Sequence, residues 1–278
     1  TTSNTVKANY INPGSWATGN NLGTGRYSLA GVGTQTAALG FGGYAPGNSA
    51  LTETWNGTNW TEVNDLNTAR FGLAGAGTNT AALGFGGGLP ANSALTETYN
   101  GTNWTEVNDL NTARNYLAGC GIQTAGLAFG GTPALAITET WNGTNWTEVN
   151  DLNTGRRFLA AAGTNTAALA FGGSVSPAVT ELWNGTNWTE VNDLNRGSSS
   201  LAGAGTQTAA LAFSGTAGAL TESWNGTNWS IQSNMNLARS YLAGAGTNTA
   251  ALAFGGSGSP AATEEWNAGP ATVTFDVS

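Results

Sequence analysis

Leu95-Thr-Glu-Thr-Tyr-Asn-Gly-Thr-Asn-Trp104 is the stretch whose reading decides the fold. The same phrase runs from Leu51 to Trp60 and, with small changes, ends again at Trp146, Trp188 and Trp229. Trp16 holds the corresponding place in a diverged first copy. Successive tryptophans stand 44, 44, 42, 42 and 41 residues apart. A fixed period of this size marks a repeat architecture, in which each unit buries its apolar surface against the next.

Outward from this phrase, each unit reads as four short strands. Leu73-Ala-Gly-Ala-Gly77 is the first, and Thr80 to Gly87, with Leu83 and Phe85 alternating, is the second. Leu95 to Tyr99 is the third and Trp104 to Val107 the fourth. No apolar period of 3.6 appears, while Gly, Asn and Thr punctuate at strand-like intervals. Asn100-Gly101 is a short-hairpin signal, because both residue types tolerate positive φ. Four strands per repeat around an axis give a propeller. The small residues of the first strand let several strands converge on the axis. Trp55, Trp60 and their copies fall where blades widen, and the sequence predicts that they pack between sheets; sugar-stacking platforms are the alternative.

The expected fold is therefore all-β: one domain over 1–278, a six-bladed β-propeller of four-stranded blades. Blades are expected at about 26–65, 70–109, 114–151, 156–193, 198–234 and 239–277. The repeats are out of phase with the termini. The chain opens on a fourth strand, about 14–21, and its last copy stops at a third strand, Thr263 to Trp266. Pairing of Trp16-Ala-Thr-Gly19 with that strand closes the ring and removes an exposed edge. Ala271 to Val277 also alternates like a strand, and either competes for that position or extends the blade's outer edge.

Arg70 opening the first strand, Gly86-Gly87 closing the second, Glu97-Thr-Tyr99 in the third and Trp104 in the fourth resemble the kelch repeat in order. The likeness covers nearly the whole chain. The third-strand Tyr stands closer to the Trp than is usual in kelch repeats and is often replaced by Trp. The fifth copy reads Ser214-Gly215 for the double glycine and has Ser198 in place of the arginine. The near-identical copies are similar to those of kelch-like proteins of marine bacteriophages. The resemblance implies a propeller and, for Arg70, Gly86, Gly87, Glu97 and Trp104, structural roles.

Charged residues make up 9% of the chain, against roughly 25% in an ordinary soluble domain, so the polar surface is mostly Thr, Asn, Ser and backbone. The net charge of −8, with Lys7 the only lysine, argues against nucleic acid, whose phosphates need clustered Lys and Arg. No apolar run is long enough to span a bilayer, and Thr1 to Tyr10 lacks a signal-peptide core. Cys120 is the single cysteine and stands where other copies have alanine, which predicts a small buried residue.

There is no histidine, which removes the commonest general base and metal ligand. The copper site of galactose oxidase, a kelch-like propeller enzyme, needs histidines and cannot be built here. One cysteine without histidine also excludes the usual zinc sites. Fourteen of the sixteen acidic residues repeat in register, whereas a glycosidase needs one carboxylate pair in one cleft. Sialidases share six blades, but where their Asp-box motif has Asp this chain has Trp55. No catalytic residue, metal or cofactor is expected. Arg26, Arg70, Arg114, Arg156 and Arg239 are expected to pair with third-strand glutamates near blade junctions. Asn-Asp-Leu-Asn loops such as Asn64 to Asn67 read as turns rather than calcium ligands. The Asn-Gly-Thr and Asn-Trp-Thr triplets at Asn56 and Asn59 are formal glycosylation sequons.

Between the double glycine, or its equivalent, and the third strand lie 8, 8, 6, 6, 5 and 6 residues in the six copies. All length variation thus sits in the loop between strands two and three. That loop leaves a blade on the same face as the connection between blades. Tyr44, Pro46, Leu89, Pro90, Leu135, Val175, Pro177 and Pro260 lie in these small, almost uncharged segments and are the candidate partner-binding residues. The expected function is a non-enzymatic structural or adhesion protein at a virion surface or in an extracellular fibre. It uses the propeller to bind protein subunits, including copies of itself. The alternative is a multivalent, lectin-like propeller binding glycans.

Overall fold

The computed structural model describes residues 4–277. Six antiparallel sheets of four strands stand around an axis. In blade 1 the strands are Ala30–Thr34, Ala37–Phe41, Thr52–Trp55 and Trp60–Val63, running from the axis outward. Each inner strand lies beside those of both neighbours, and that of blade 6 meets blade 1, so the ring is closed. The predicted Trp104 to Val107 strand is found with those bounds; the first and third strands of that repeat start one residue later than predicted, and the second is two residues shorter at each end.

One contact builds every junction. Phe41 of blade 1 lies against the inner face of blade 2, where a Cβ on Gly75 or Gly84 would stand 2.8 Å from its ring. Trp104, from the outer strand of blade 2, covers that phenylalanine with ring centroids 4.8 Å apart. Its indole Nε1 donates to Thr52 Oγ1 of blade 1 at 3.1 Å. The same Phe–Trp pair recurs at all six junctions, with centroids 4.7–5.1 Å apart. So does the Trp-to-Thr hydrogen bond, at 2.9–3.1 Å. A buried indole of this kind is worth about 3–5 kcal/mol on truncation to alanine. The third-strand aromatics Trp55, Trp141, Trp183, Trp224 and Trp266 are buried as well. The packing role expected for the tryptophans is the one found.

Closure uses the same chemistry. Gly19↔Thr263, Thr18↔Glu264, Ala17↔Glu265 and Trp16↔Trp266 pair in register, so the N-terminal segment is the outer strand of blade 6. Trp16 then packs on Phe213 and donates to Thr221, as Trp104 does one junction on from blade 1. The residues 271–277 neither compete for this position nor add an outer edge. They continue the third strand, Thr263–Val277, and pair with an equally extended N-terminal strand, Asn4–Gly19. The two run on as a ribbon from the end of the blade where other blades turn at Asn-Gly. A register shift between Asn12 and Ser15 introduces it. Gly14 sits there at φ +103°, where a side chain would collide with the Trp266 indole.

At the ordinary hairpins only the glycine takes positive φ, as at Gly101 (+90°). Asn100 contributes its side chain instead: Oδ1 accepts from the backbone N–H groups of Thr102 and Asn103 at 3.0 and 2.9 Å. The Asn-Gly signal was right, and the asparagine works as an Asx turn rather than through left-handed backbone.

The repeated arginines are fully buried, each paired with its blade's third-strand glutamate at 2.8–3.2 Å. Arg70 also donates from Nη1 to the carbonyls of Gly86 and Leu95 at 2.8 and 2.6 Å. Glu97 receives a second anchor, Asn67, through backbone N–H and Nδ2 at 2.7 and 2.8 Å. Desolvation pulls the arginine pKa values down from their usual range, and the partner glutamates push back. Cys120 is buried where four other blades have alanine and blade 1 has Val32, and burial pushes its thiol up to about 12.

Two outcomes follow. Deleting residues 1–19 removes the outer strand of blade 6 and leaves the outer edge of its third strand unpaired; a lower Tm and concentration-dependent association are expected in calorimetry and light scattering. Glu97→Leu strands a buried cation and is expected to cost about 3–5 kcal/mol in denaturant unfolding. The double variant Arg70→Met/Glu97→Leu is expected to recover most of that loss.

Candidate functional site

The second-to-third-strand loops and the connections between blades share one face, as expected from the repeat. Backbone hydrogen bonds tie them together: Arg26 N–H donates to Pro260 O at 2.8 Å, Arg156 to Leu135 at 3.0 Å and Ser198 to Pro177 at 2.8 Å. Leu135, Pro177 and Pro260 therefore also hold the entry to the next blade. In these three blades the residue facing the loop is Gly155, Gly197 or Gly25, and an added Cβ would stand 2.5–3.1 Å from loop atoms. Pro46, Pro90, Pro177 and Pro260 are exposed, Leu89 and Leu135 half-buried. Tyr44 is 36% and Val175 75% exposed.

At the centre of this face the backbone forms a closed circle. Ser28, Gly72, Tyr116, Phe158, Ser200 and Tyr241 occupy equivalent positions, two residues after the arginine or Ser198. All six take φ between +52° and +62°. Each N–H donates to the carbonyl of its counterpart one blade back, and Ser28 donates to Tyr241, at 2.7–3.0 Å throughout. Left-handed backbone costs about 1–2 kcal/mol per non-glycine residue; here it turns one donor and one acceptor of each blade tangentially around the axis. The circle satisfies polar groups that would otherwise face the axial channel lined by Gly and Ala.

The side chains on the circle differ from blade to blade. Tyr116, Phe158 and Tyr241 meet over the axis, with centroids 4.4 Å (Tyr116–Phe158), 5.6 Å (Phe158–Tyr241) and 6.0 Å (Tyr116–Tyr241) apart. Tyr116 leans over its small neighbour Gly72, where a Cβ would stand 3.0 Å from the ring. The cluster continues over blades 1 and 2 through Tyr27, Tyr44 and Phe71, each 5.3–6.4 Å from the next ring. Arg157 lies 4.9 Å over Phe158, a cation–π contact. Burial raises the Tyr116 phenol above its usual value.

A second circle surrounds the first. It pairs the residue after each arginine, or after Ser198, with the residue after the double glycine or its Ser214-Gly215 equivalent. In blade 1 this pair is Tyr27 with Tyr44 and in blade 2 Phe71 with Gly88. In blades 3 to 6 it is polar: Asn115 with Thr132, Arg157 with Ser174, Ser199 with Thr216, and Ser240 with Ser257. The face thus has an aromatic sector and a hydroxyl-rich sector. Asn115 Oδ1, Thr132 Oγ1 and Ser174 Oγ are buried there without a hydrogen-bond partner.

Tyr44 belongs to the loops singled out from the sequence, whereas Tyr27, Phe71, Tyr116, Phe158 and Tyr241 come from the segments just before the inner strands, and of these Tyr27 and Phe71 stand beside Tyr44. Their signal was present in the sequence, since these positions vary where the rest of the repeat is almost invariant. Leu237, in the connection between blades 5 and 6, is a further exposed apolar residue on this face.

Two of the recurring carboxylate sets, the third-strand glutamates and the aspartates of the blade connections, have structural partners, whereas Glu62 and its copies in the outer strands are exposed. Asp65 Oδ1 accepts from Thr52 N–H at 3.0 Å, and Asp109, Asp151 and Asp193 repeat this in their blades. Among the described residues, no three His, Cys, Asp or Glu side chains are grouped to hold a metal ion. No described helix is long and apolar enough to cross a membrane.

Fold and face together define the class: a six-bladed β-propeller with one differentiated, mostly uncharged face. No protein-family model matches the chain, and comparison with curated proteins finds no match. The kelch likeness accordingly rests on Arg70, Gly86, Gly87, Glu97 and Trp104 and their copies.

Gly72 tests the cap. Gly72→Ala introduces a Cβ into left-handed backbone and against the Tyr116 ring, and a loss of about 1–2 kcal/mol is expected. Tyr116→Ser in the same chain is expected to return the steric part, read as a coupling energy in a double-mutant cycle.

Proposed function

We propose that this propeller is a non-enzymatic interaction protein whose loop face docks another protein subunit. It serves as a structural or adhesion component at the outer surface of a virus particle or in an extracellular fibre. The observation that carries this reading is that, of the five exposed large apolar side chains among the described residues, three, Tyr44, Val175 and Leu237, stand on the face that bears the aromatic cap, Ile122 and Ile231 being the other two. Burying such a surface desolvates few charges. A stable interface needs roughly 1,200 Å² of total buried area, which the face of a six-bladed disc is broad enough to supply. The fold suits this use, because a propeller holds its loops on a rigid base while they vary in length and side chain. The low charge and the Thr, Asn, Gly and Ala composition fit an assembled, extracellular setting. The kelch-like and phage-like character of the repeats supports the same reading by resemblance.

A second reading is favoured by a specific observation. Two hydroxyls and one carboxamide oxygen, of Thr132, Ser174 and Asn115, are buried without partners on the face that carries half-exposed aromatic rings. Rings that stack on a sugar face beside unsatisfied polar atoms suit a glycan. This site belongs to the face as a whole and is not repeated blade by blade.

Tyr44→Ser combined with Val175→Asp separates the two. Val175 is exposed and Tyr44 packs only at the rim of the aromatic cluster, so the fold is expected to survive with a small fall in Tm. Under the first reading, self-association or incorporation into particles falls, measured by light scattering and by sedimentation of particle fractions. Unchanged assembly, together with a glycan-array signal that Tyr116→Ser abolishes, moves the conclusion to the second.

A further inference from the structure

We propose that the loop face carries a small apolar well on the propeller axis, a binding site for one compact aliphatic group such as an isopropyl or isobutyl unit. Six equivalent leucines, one per blade, wall it: Leu29, Leu73, Leu117, Leu159, Leu201 and Leu242, each 5–7% exposed. Each leucine follows directly on a residue of the backbone circle, so the two six-fold sets adjoin. The space that leucines and circle enclose is ≈ 80 Å³ and is partly open. Room remains there because the circle is only half aromatic. Ser28, Gly72 and Ser200 are small where Tyr116, Phe158 and Tyr241 carry rings, and all six line the well.

The lining selects an uncharged, apolar occupant. No Asp, Glu, Lys or Arg is among the lining residues. The circle's backbone polar groups are spent on one another, since each circle N–H donates to a circle carbonyl at 2.7–3.0 Å. A buried water makes about three hydrogen bonds, and a wall of leucine methyls offers none. The hydroxyls of Ser28 and Ser200 and the two phenols belong to the circle, not to that wall. Deeper in the channel the lining changes to Gly and Ala of the inner strands, so the leucine tier is where an aliphatic group meets side chains from every blade. A dry cavity of about 150 Å³ lined by Leu, Ile and Phe takes benzene; this well, at ≈ 80 Å³, takes a smaller group. A free molecule or an aliphatic side chain of a docked subunit can supply it, and only the second source rests on the docking reading above.

Crystals are pressurised with xenon, an apolar probe of such cavities, and its occupancy on the axis is refined. One site among the six leucines is expected in wild type. Ser200→Phe adds a fourth ring to the circle. Phe158 already holds the equivalent position at φ +59°, against +57° at Ser200, so the backbone accepts it. Xenon is expected to be lost from the axis in this variant, and Ser200→Leu gives the same test if the larger ring prevents folding. A wild type without xenon on the axis, or with hydrogen-bonded waters there that xenon does not displace, would overturn the proposal. So would equal occupancy in wild type and in the folded variant. A second arm measures assembly of the same variant by light scattering. Reduced assembly identifies the group as a partner's side chain, and unchanged assembly beside a wild-type xenon site restricts the well to free ligands. The docking reading fails separately, when Tyr44→Ser with Val175→Asp leaves assembly intact, whatever xenon does.

Discussion

Everything in this molecule depends on one wedge, repeated around the axis. A phenylalanine from the second strand of each blade presses into its neighbour where the facing residues are Gly or Ala, and a tryptophan from that neighbour closes over it. The wedge explains why small and large residues alternate with the repeat. Gly75 and Gly84 are small because Phe41 stands 2.8 Å from where a Cβ would be. Trp104 is large because it fills the widening gap and carries a donor that Thr52 can accept. A solenoid of such units would end in two exposed faces; bending it into a ring gives every wedge a socket. The sixth wedge is made by Trp16, which is why the N-terminal segment belongs to the last blade.

With junctions fixed by packing, five of the six blades keep an internal ionic brace. The arginine is enclosed by backbone carbonyls and one carboxylate, so its charge is neutralised by geometry rather than by solvent. Such pairs contribute little net stability against an apolar replacement, yet removing one partner is expensive. That asymmetry makes the brace a specificity device: it fixes how the inner strand, the second-strand end and the third strand meet. Blade 5 departs from it with Ser198 and Ser214, whose hydroxyls bridge to Ser214 O and Arg239 O and leave a cavity beside Glu222.

The loop face is where equivalence among blades ends. Its backbone circle obeys the six-fold repeat, residue for residue, through hydrogen bonds between adjacent blades. Its side chains do not: three aromatic rings share one axis, so neighbours such as Gly72 must be small. A near-symmetric scaffold thereby acquires a single, directional surface, aromatic over blades 1 and 2 and hydroxyl-rich over the others. An interaction protein built from near-identical repeats needs such a break in symmetry to bind one partner in one orientation.

The period of the Trp phrase, the four strand-like runs and the phase of the termini determined the fold, the blade number and the closure, because those features are local and recur. The arginine–glutamate pairing was legible for the same reason: each residue recurs at its own place in the repeat phrase, although the loop between them sets them 27 residues apart in blades 1 and 2 and 25 apart in blades 3, 4 and 6. Other features were decided only by the tertiary structure. Ala271 to Val277 reads as a separate strand in sequence, and only its pairing with the N-terminal segment makes it a continuation of the third. Tyr27, Phe71, Tyr116, Phe158 and Tyr241 are scattered over more than two hundred residues and look like single departures from a repeat. They become one surface because the ring brings equivalent positions of different blades to a common axis, a proximity that linear spacing does not encode.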